Sequence, residues 1–231
     1  MSTVILLRHG RTTANAGGIL AGWTPGVQLD ETGTTQVEAV GERLARVPLA
    51  AIVSSPLERC RQTADAVAVG RELEVQSDDR LGEARYGDWT GQAIKDLVKD
   101  PLWKVVQQHP SAAVFPGPEG EGLAQTQARA VAAVREWNAK LGPDAVWLAC
   151  SHGDVIKAIL ADALGLHLDQ FQRIVVDPAS VSVVTYTETR PFVVRVNDTG
   201  GDVSGLIPPP KRRRRKASSD AAVGGGAGAT A

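Results

Sequence analysis

The chain has 231 residues, of which 43% are hydrophobic, and a formal net charge of −1 at pH 7. This length suits one α/β domain or two small ones, and no apolar run approaches the ~20 residues that a membrane-spanning helix needs. The first apolar segment is too short for a signal peptide, and two cysteines make no disulfide framework. We therefore expect a cytoplasmic protein that does not bind membranes.

The first predicted strand ends in two polar residues. Residues 4–7 are consecutive apolar residues, which is typical of a strand buried on both faces in a parallel sheet. Arg8, His9 and Gly10 follow at once, at the carboxyl end of the strand, where open α/β sheets bind ligands. An imidazole there is a candidate nucleophile, and the guanidinium is a candidate ligand for an oxyanion such as phosphate. A solvated turn that happens to contain these residues is the alternative.

The second predicted strand leads into a helix with an arginine in its first turn. An amphipathic helix over residues 31–46 precedes this strand over 51–53, which is followed by Ser-Ser-Pro and a helix over 56–69. Serine and proline are favoured at helix starts, whereas the positive charge of Arg59 opposes the helix dipole there. An anion bound in front of the helix would stabilise this charge, so Arg59 is a candidate anion ligand.

The middle of the chain contains a short predicted strand over 73–76 and a helix over 93–108 that Pro101 breaks. A loop rich in proline and glycine follows at 109–122, and we expect it to cover a pocket entrance. The next predicted helix spans residues 122–140.

A second unit repeats the order strand, His-Gly, helix. An apolar strand over 145–150 is followed by His152 and Gly153 and then by a helix over 153–164. Two such units in a chain with four histidines are hard to assign to chance. Since parallel strands end at the same edge of a sheet, we expect His9 and His152 to face each other across one pocket.

The predicted fold is an α/β three-layer sandwich with a mostly parallel central sheet. An alternating hairpin over 180–187 and 191–197 adds the last two strands. The other strands are separated by helices, which favours parallel pairing with right-handed crossovers. We place one domain at residues 1–207.

The end of the chain, residues 208–231, differs in composition. Three prolines precede six consecutive basic residues at 211–216 and a Ser/Ala/Gly-rich run, so the tail's net charge of +5 leaves −6 for the rest. This stretch cannot build a core, and we predict that it is disordered and does not reach the pocket. The basic run predicts weak polyanion contact without specificity for nucleic acid. A solvated tail without a partner is the alternative.

These motifs resemble the histidine phosphatase superfamily, also called the phosphoglycerate mutase-like proteins. The resemblance covers about residues 3–200 and rests on ordered blocks at 7–10, 15, 21–23, 29–33, 54–64, 81–91 and 151–153. It implies a catalytic domain of the phosphoglycerate mutase type that acts on a small phosphorylated substrate without a metal or another cofactor.

The resemblance also implies a role for individual residues. His9 would become phosphorylated, and Glu83 would give a proton to the leaving group. The phosphate pocket would contain Arg8, Arg59 and His152, with further contacts from Asn15, Gly22 and Gly153. If Glu83 is to act as an acid, burial must raise its pKa. A surface glutamate in a loop is the alternative.

Charge balance supports phosphate chemistry independently of the resemblance. Phosphoryl transfer depends on positioning and charge neutralisation, and the transferred group carries about two negative charges near neutral pH. Two arginines and a second imidazole balance that charge without a metal. His9 must be neutral, with its other ring nitrogen donating to a backbone carbonyl or to a hydroxyl such as that of Thr12 or Thr13. We expect His152, next to the dianion, to be charged.

The predicted function is a metal-independent phosphatase that hydrolyses a small phosphate monoester through a phosphohistidine intermediate. A cofactor-dependent phosphomutase of the phosphoglycerate mutase type is the first alternative, because it would use the same residues. Such mutases resemble each other in an arginine-rich stretch, where this chain has only Arg129 and Arg135. A non-catalytic protein that binds a phosphorylated ligand is the second alternative. A homo-oligomer is compatible with the sequence but not indicated by it.

Overall fold

Six strands form one mixed sheet. The computed structural model describes residues 1–201 together with Gly224 and Gly226. The strands in chain order are β1 (Ser2–Arg8), β2 (Ile52–Ser54), β3 (Val75–Ser77), β4 (Val146–Ser151), β5 (Val181–Tyr186) and β6 (Pro191–Asp198). Their order across the sheet is β3-β2-β4-β1-β5-β6.

Four strands are parallel, and the terminal hairpin is antiparallel. β3, β2, β4 and β1 pair in parallel, whereas β5 pairs antiparallel with both β1 and β6. The register sets Arg8 opposite Ser151 and Ser54 opposite Cys150. β1, β2 and β4 therefore end together at one edge of the sheet, as the sequence predicted for the two His-Gly units.

Helices cover both faces of the sheet, so the predicted three-layer α/β architecture is confirmed. The helices are α1 (Thr13–Ala16), α2 (Glu31–Leu44), α3 (Glu58–Ala68), α4 (Ile94–Leu97), α5 (Pro101–Gln108), α6 (Leu123–Leu141) and α7 (Gly153–Ala163). Among the residues that the structure describes, no helix is long and apolar enough to cross a membrane.

Alternate residues of the central strands contribute to two separate cores. Val4 and Leu6 of β1 pack with buried residues of α5, α6 and α7. Ile5 and Leu7 pack on the other face with buried residues of α2 and α3. This alternation follows from the period of two in a β-strand. Because β1 is covered on both faces, it reads as a continuous apolar run.

Pro101 divides the predicted helix over 93–108. Asp100 caps α5 by accepting a hydrogen bond from the Leu102 N–H at 2.8 Å, with Pro101 in the first turn. Proline is tolerated there because the first N–H groups of a helix have no intrahelical partner. The break between α4 and α5 is therefore where the sequence predicted it.

The loop at 109–122 does not cover the pocket entrance. Phe115 from this loop packs its ring at 4.8 Å from Tyr86 and at 5.5 Å from Trp89. None of its residues belongs to the pocket wall described below. The expectation of a cover over the pocket is wrong, because Phe115 anchors the loop in the core and the exposed residues of the loop lie outside the pocket wall.

Most of the predicted tail lies outside the described residues. Within 208–231 the structure describes only Gly224 and Gly226. The boundary at residue 207, the disorder of the tail and the polyanion contact of residues 211–216 therefore stay predictions.

Candidate active site

The end of β1 places a neutral imidazole in a buried position. His9 is 3% exposed, and its Nδ1 lies 2.8 Å from the carbonyl oxygen of Gly10. Since a carbonyl only accepts, Nδ1 carries the proton and Nε2 keeps a free lone pair. Burial first, then the charges of Arg59 and Arg8, lower the pKa of His9 well below 6.5. The lone pair that a nucleophile needs is thus available at neutral pH.

Gly10 allows β1 to end close to α2. A Cβ atom at this position would lie 2.7 Å from Val37 Cγ1 and 2.8 Å from the Gly33 carbonyl oxygen. The Gly10 N–H donates to Thr63 Oγ1 at 3.1 Å. A larger residue would push the strand end away from α2 and would displace His9 with it.

The arginine at the start of α3 is buried rather than solvated. Arg59 is 2% exposed, and its Nη2 donates to the Gly22 carbonyl at 2.8 Å. Its Nη1 is buried without a hydrogen-bond partner among the described residues. A buried donor without an acceptor costs about 1–3 kcal/mol, so this N–H group is suited to an anion oxygen in the pocket. The location at a helix start is the one that the sequence indicated.

The second imidazole faces the first. The ring centroids of His9 and His152 are 5.2 Å apart, at an interplanar angle of 62°. Arg59 Nη2 lies 3.3 Å from His152 Nδ1, and a guanidinium only donates, so Nδ1 accepts. His152 Nε2–H then donates to Ser55 Oγ at 2.8 Å.

The surroundings of His152 in the protein favour a neutral ring, whereas the sequence-based expectation of a charged ring concerns contact with a bound dianion and stays a prediction. Burial has the largest effect and the charge of Arg59 the next largest, and together they lower the pKa of His152 well below 6.5. The fold places Arg59 directly beside the ring, which the sequence could not show.

Glu83 is buried next to the two histidines. It is 4% exposed, its Oε1 accepts from the Ala84 N–H at 3.0 Å, and its Oε2 lies 3.9 Å from His152 Nδ1. Burial and, next, the negative charge of Asp154 raise the pKa of Glu83 to about 7. A carboxyl group with this pKa can give and take a proton near neutral pH. The alternative of a surface glutamate is wrong.

Arg129 holds the backbone on which Glu83 lies. Its Nη2 donates to the Glu83 carbonyl at 3.0 Å, and its Nη1 donates to the carbonyls of Arg80 and Gly82 at 2.7 and 2.8 Å. Glu121 pairs with Arg129 at 2.6 Å. Arg129 is therefore committed to positioning the Glu83 segment, a role that sequence analysis missed because its partners are backbone atoms.

Arg8, at the end of β1, is fully buried and does not line the pocket, but it binds two residues of the pocket wall. Its Nη1 donates to the Val176 carbonyl at 2.8 Å, and its Nη2 donates to the carbonyls of Gly226 at 2.7 Å and Gly224 at 3.2 Å. Burial lowers the pKa of Arg8 to about 10, so the guanidinium stays charged at neutral pH. The expectation that the tail does not reach the pocket is wrong for these two glycines.

The three weaker candidates have different surroundings. Asn15 Oδ1 accepts from the Thr12 N–H at 3.1 Å and so caps α1. Gly22 has φ of +52° and gives its carbonyl to Arg59. Both line the pocket, whereas Gly153 does not line it and is the first residue of α7.

One pocket brings most of the predicted residues together. Its wall consists of His9, Thr12, Asn15, Ile19, Leu20, Ala21, Gly22, Arg59, Glu83, Tyr86, Ile94, Gly224 and Gly226. Within the described ranges, no group of three or more His, Cys, Asp or Glu side chains could hold a metal ion.

Asp154 and Tyr86 are functional candidates that sequence analysis missed. The Tyr86 hydroxyl donates to Asp154 Oδ2 at 3.0 Å, and Asp154 is 1% exposed. Lys157 Nζ lies 3.4 Å from Asp154 Oδ1. An acid in the first turn of a helix is common because it complements the helix dipole. Its sequence position therefore does not indicate that the negative charge of Asp154 also raises the pKa of Glu83.

Comparisons with known proteins identify the family. A family model described as the histidine phosphatase superfamily (branch 1) matches residues 4–199. Phosphoserine phosphatase 1 of Hydrogenobacter thermophilus is 30% identical over 86% of this chain and 93% of its own length. A probable phosphoglycerate mutase of Proteus mirabilis is 30% identical over 89% of this chain and 95% of its own length.

A solved structure supports the same assignment. Bacillus stearothermophilus YhfR superposes with a TM-score of 0.79 at 28% identity, over 86% of this chain and 98% of that protein. The family model and the full-length relatives agree with the motif-based resemblance. The chain therefore belongs to the histidine phosphatase superfamily.

Proposed function

We propose that this protein is a phosphatase that hydrolyses a small phosphate monoester through a phosphohistidine intermediate, without a metal ion. The observation that carries the proposal is the state of His9. Its Nδ1 donates to the Gly10 carbonyl, so Nε2 is a free nucleophile in a pocket that also contains the buried cation Arg59 and the acid Glu83.

In the first step, His9 Nε2 attacks the phosphorus atom of the ester. The N–P bond forms as the bond between phosphorus and the ester oxygen breaks. An alkoxide is a poor leaving group and needs a proton. Glu83, whose pKa is about 7, gives that proton, and the alcohol leaves with both electrons of the broken bond.

In the second step, water attacks the phosphohistidine. The carboxylate of Glu83 takes a proton from the water as the new O–P bond forms and the N–P bond breaks. Inorganic phosphate leaves, and both His9 Nε2 and protonated Glu83 are restored. One carboxyl group thus acts first as an acid and then as a base.

Two arginines supply the positive charge that stabilises the transferred phosphoryl group. Nη1 of Arg59 is buried without a hydrogen-bond partner among the described residues and can donate to a phosphoryl oxygen. Arg8 has a charged guanidinium at the end of β1. His152, a buried neutral ring whose Nε2–H is bound by Ser55, faces the His9 ring but is not part of the pocket wall.

A phosphomutase of the phosphoglycerate mutase type is the second candidate. The relative in Proteus mirabilis carries that name, and the reacting residues are the same. Two observations disfavour it. Arg129 is bound to the backbone around Glu83, and the side chain of Arg135 is 64% exposed and pairs with Asp162. Neither arginine is free to hold a second anionic group of a substrate.

The deciding experiment measures release of inorganic phosphate from a panel of phosphorylated metabolites, with chelator in excess. His9→Ala should fold and lose turnover, and His109→Ala is its control because that histidine side chain is 69% exposed. An acid-labile, base-stable phosphate should form on the wild type during turnover. A His9→Ala variant that keeps a tenth of the wild-type rate contradicts the mechanism, and phosphate transfer to a second position of the substrate favours the mutase.

Two further properties belong to the proposal. The substrate is a small phosphorylated molecule rather than a nucleic acid, and the protein acts in the cytoplasm.

A further inference from the structure

Two residues from the end of the chain lie in the pocket. Gly224 and Gly226, named here the tail glycines, belong to the same wall as His9, Arg59 and Glu83. The family model ends at residue 199, so the match to the family does not include them. Their contacts are made by the backbone.

The tail glycines use the groups that the proposed reaction needs. Arg8 Nη2 donates to the Gly226 carbonyl at 2.7 Å and to the Gly224 carbonyl at 3.2 Å. The Gly224 N–H donates to Asp154 Oδ2 at 2.9 Å. A guanidinium N–H group that binds a backbone carbonyl is not available to a phosphate oxygen at the same time. Occupancy by the tail and binding of a phosphate ester to Nη2 of Arg8 are therefore mutually exclusive.

Glycine is required at this position for conformational and steric reasons. Gly224 has φ of +72° and Gly226 has φ of +58°, and residues with a Cβ atom rarely adopt such positive φ angles. A Cβ atom at Gly224 would lie 3.2 Å from Leu20 Cδ1 and 3.7 Å from the Tyr86 hydroxyl oxygen. The pocket therefore discriminates between a glycine backbone and a bulkier peptide.

The covalent link is long enough for the tail glycines to enter and leave the pocket. Residues 202–223 join Gly201 to Gly224, and a chain of this length reaches up to ~75 Å when extended. A covalent tether gives an effective concentration on the order of millimolar. Arginine binds a phosphate dianion through charge-assisted and often bidentate bonds between opposite charges, whereas the tail offers it only neutral carbonyls, so a substrate can displace the tail.

We propose that the tail glycines are an intramolecular ligand of the phosphate pocket that competes with the phosphate ester for Arg8. The inference rests on the proposed function only in taking Arg8 as a ligand of the substrate phosphate. If the tail occupies the pocket in about nine molecules of ten, phosphate binds about tenfold more weakly than to the open pocket.

The test compares two truncated chains that both keep the basic run at 211–216. One ends at Val223 and lacks the tail glycines, and its control ends at Gly228 and keeps them. The affinity for inorganic phosphate is measured by calorimetry, and kcat and KM are measured with nitrophenyl phosphate. The chain ending at Val223 should bind phosphate about three- to tenfold more tightly, with KM lowered by the same factor and kcat unchanged. The control should match the full chain.

A point substitution and a peptide test the same contact without truncation. Gly224→Val in the full chain should reproduce the effect of truncation at Val223, because valine is strained and crowded at this φ, whereas Gly228→Val should not. A blocked peptide of residues 221–228 should inhibit the chain ending at Val223 competitively, at millimolar concentration. The same peptide with valine in place of Gly224 should not inhibit.

Two results would overturn the proposal. One is equal phosphate affinity for the two truncated chains, and the other is weaker phosphate binding after the tail glycines are removed, which would mean that they complete the site. Phosphate binding requires no turnover. Tighter binding in a chain that hydrolyses no ester would therefore refute the proposed function and leave the tail competition intact.

Discussion

Replacement of Glu83 by glutamine tests the proposed acid directly, because the side chain keeps its shape and loses its proton. Glu83 has a pKa of about 7, against an ordinary value of 4.5. About nine tenths of the carboxyl groups are then protonated at pH 6 and about one tenth at pH 8. For an alkyl phosphate, kcat/KM should fall about tenfold per pH unit above pH 7, since this ratio reports the free enzyme.

Two other titrations do not obscure this change. The pKa of His9 is lowered well below 6.5 by burial and by the charges of Arg59 and Arg8, so its protonation does not contribute to a change above pH 7. The second ionisation of a phosphate ester lies near pH 6 and affects only the acidic side of the profile. The assay is a pH profile from 5.5 to 9 with an alkyl phosphate and with nitrophenyl phosphate, whose leaving group needs little protonation.

Glu83→Gln should remove the fall above pH 7 and should reduce the rate far more for the alkyl ester than for nitrophenyl phosphate. Asp154→Asn should move the fall to lower pH, because the charge of Asp154 raises the pKa of Glu83. Asp162→Asn on the same helix, α7, is the control, since Asp162 pairs with the exposed Arg135. Equal losses on both esters, or an unchanged profile in Asp154→Asn, would refute the assignment.

The same pKa predicts a pH dependence of stability. The folded state disfavours the ionised form of Glu83, so this residue lowers the free energy of unfolding as pH rises from about 4.5 to about 7. The rise in pKa corresponds to about 3 kcal/mol. Glu83→Gln should therefore be more stable than the wild type at pH 8 and similar to it at pH 4. Urea denaturation at the two pH values measures the difference, and a glutamine variant that is less stable at pH 8 contradicts the burial argument.

Three more outcomes are expected. Arg59→Ala should lower kcat/KM for alkyl and nitrophenyl phosphates by similar factors, on the order of a hundredfold, because both esters present the same phosphoryl group; a selective loss on one ester would contradict its role. Activity should persist in excess chelator because Arg8 and Arg59 supply the positive charge, and loss that one divalent ion restores would contradict a metal-independent reaction. Arg129→Met should lower kcat for alkyl phosphates more than it changes KM, because carbonyls around Glu83 lose their donor. The same loss should reduce the free energy of unfolding by about 1–3 kcal/mol. An unchanged kcat in steady-state assays would refute the positioning role.

The sequence predicted the main elements of the sheet and the residues at its ligand-binding edge. Strand β1 is apolar on both faces, and its register with β4 brings the ends of the two strands together. Such patterns are local, since they depend on the period of each element and on the residue at which it ends. The positions of Arg8, His9 and His152 followed from this local information.

Protonation states required the tertiary structure. Glu83 and Asp154 are far apart in sequence, yet the charge of Asp154 contributes to the raised pKa of Glu83. His152 is neutral because the fold buries it and places Arg59 beside its ring. Burial and charges that act through space decide a pKa, and neither is encoded in the residues next to the titrating group.

The tail shows most clearly which properties depend on the sequence and which depend on the tertiary structure. Its composition indicates that it cannot form a core, and this is a property of side chains. The contacts of Gly224 and Gly226 with Arg8 and Asp154 are made by backbone atoms, which every residue has. The sequence by itself determined the sheet and the residues at its functional edge. The tertiary structure alone decided which backbone groups enter the pocket, because that depends on the shape and charge that the folded chain presents.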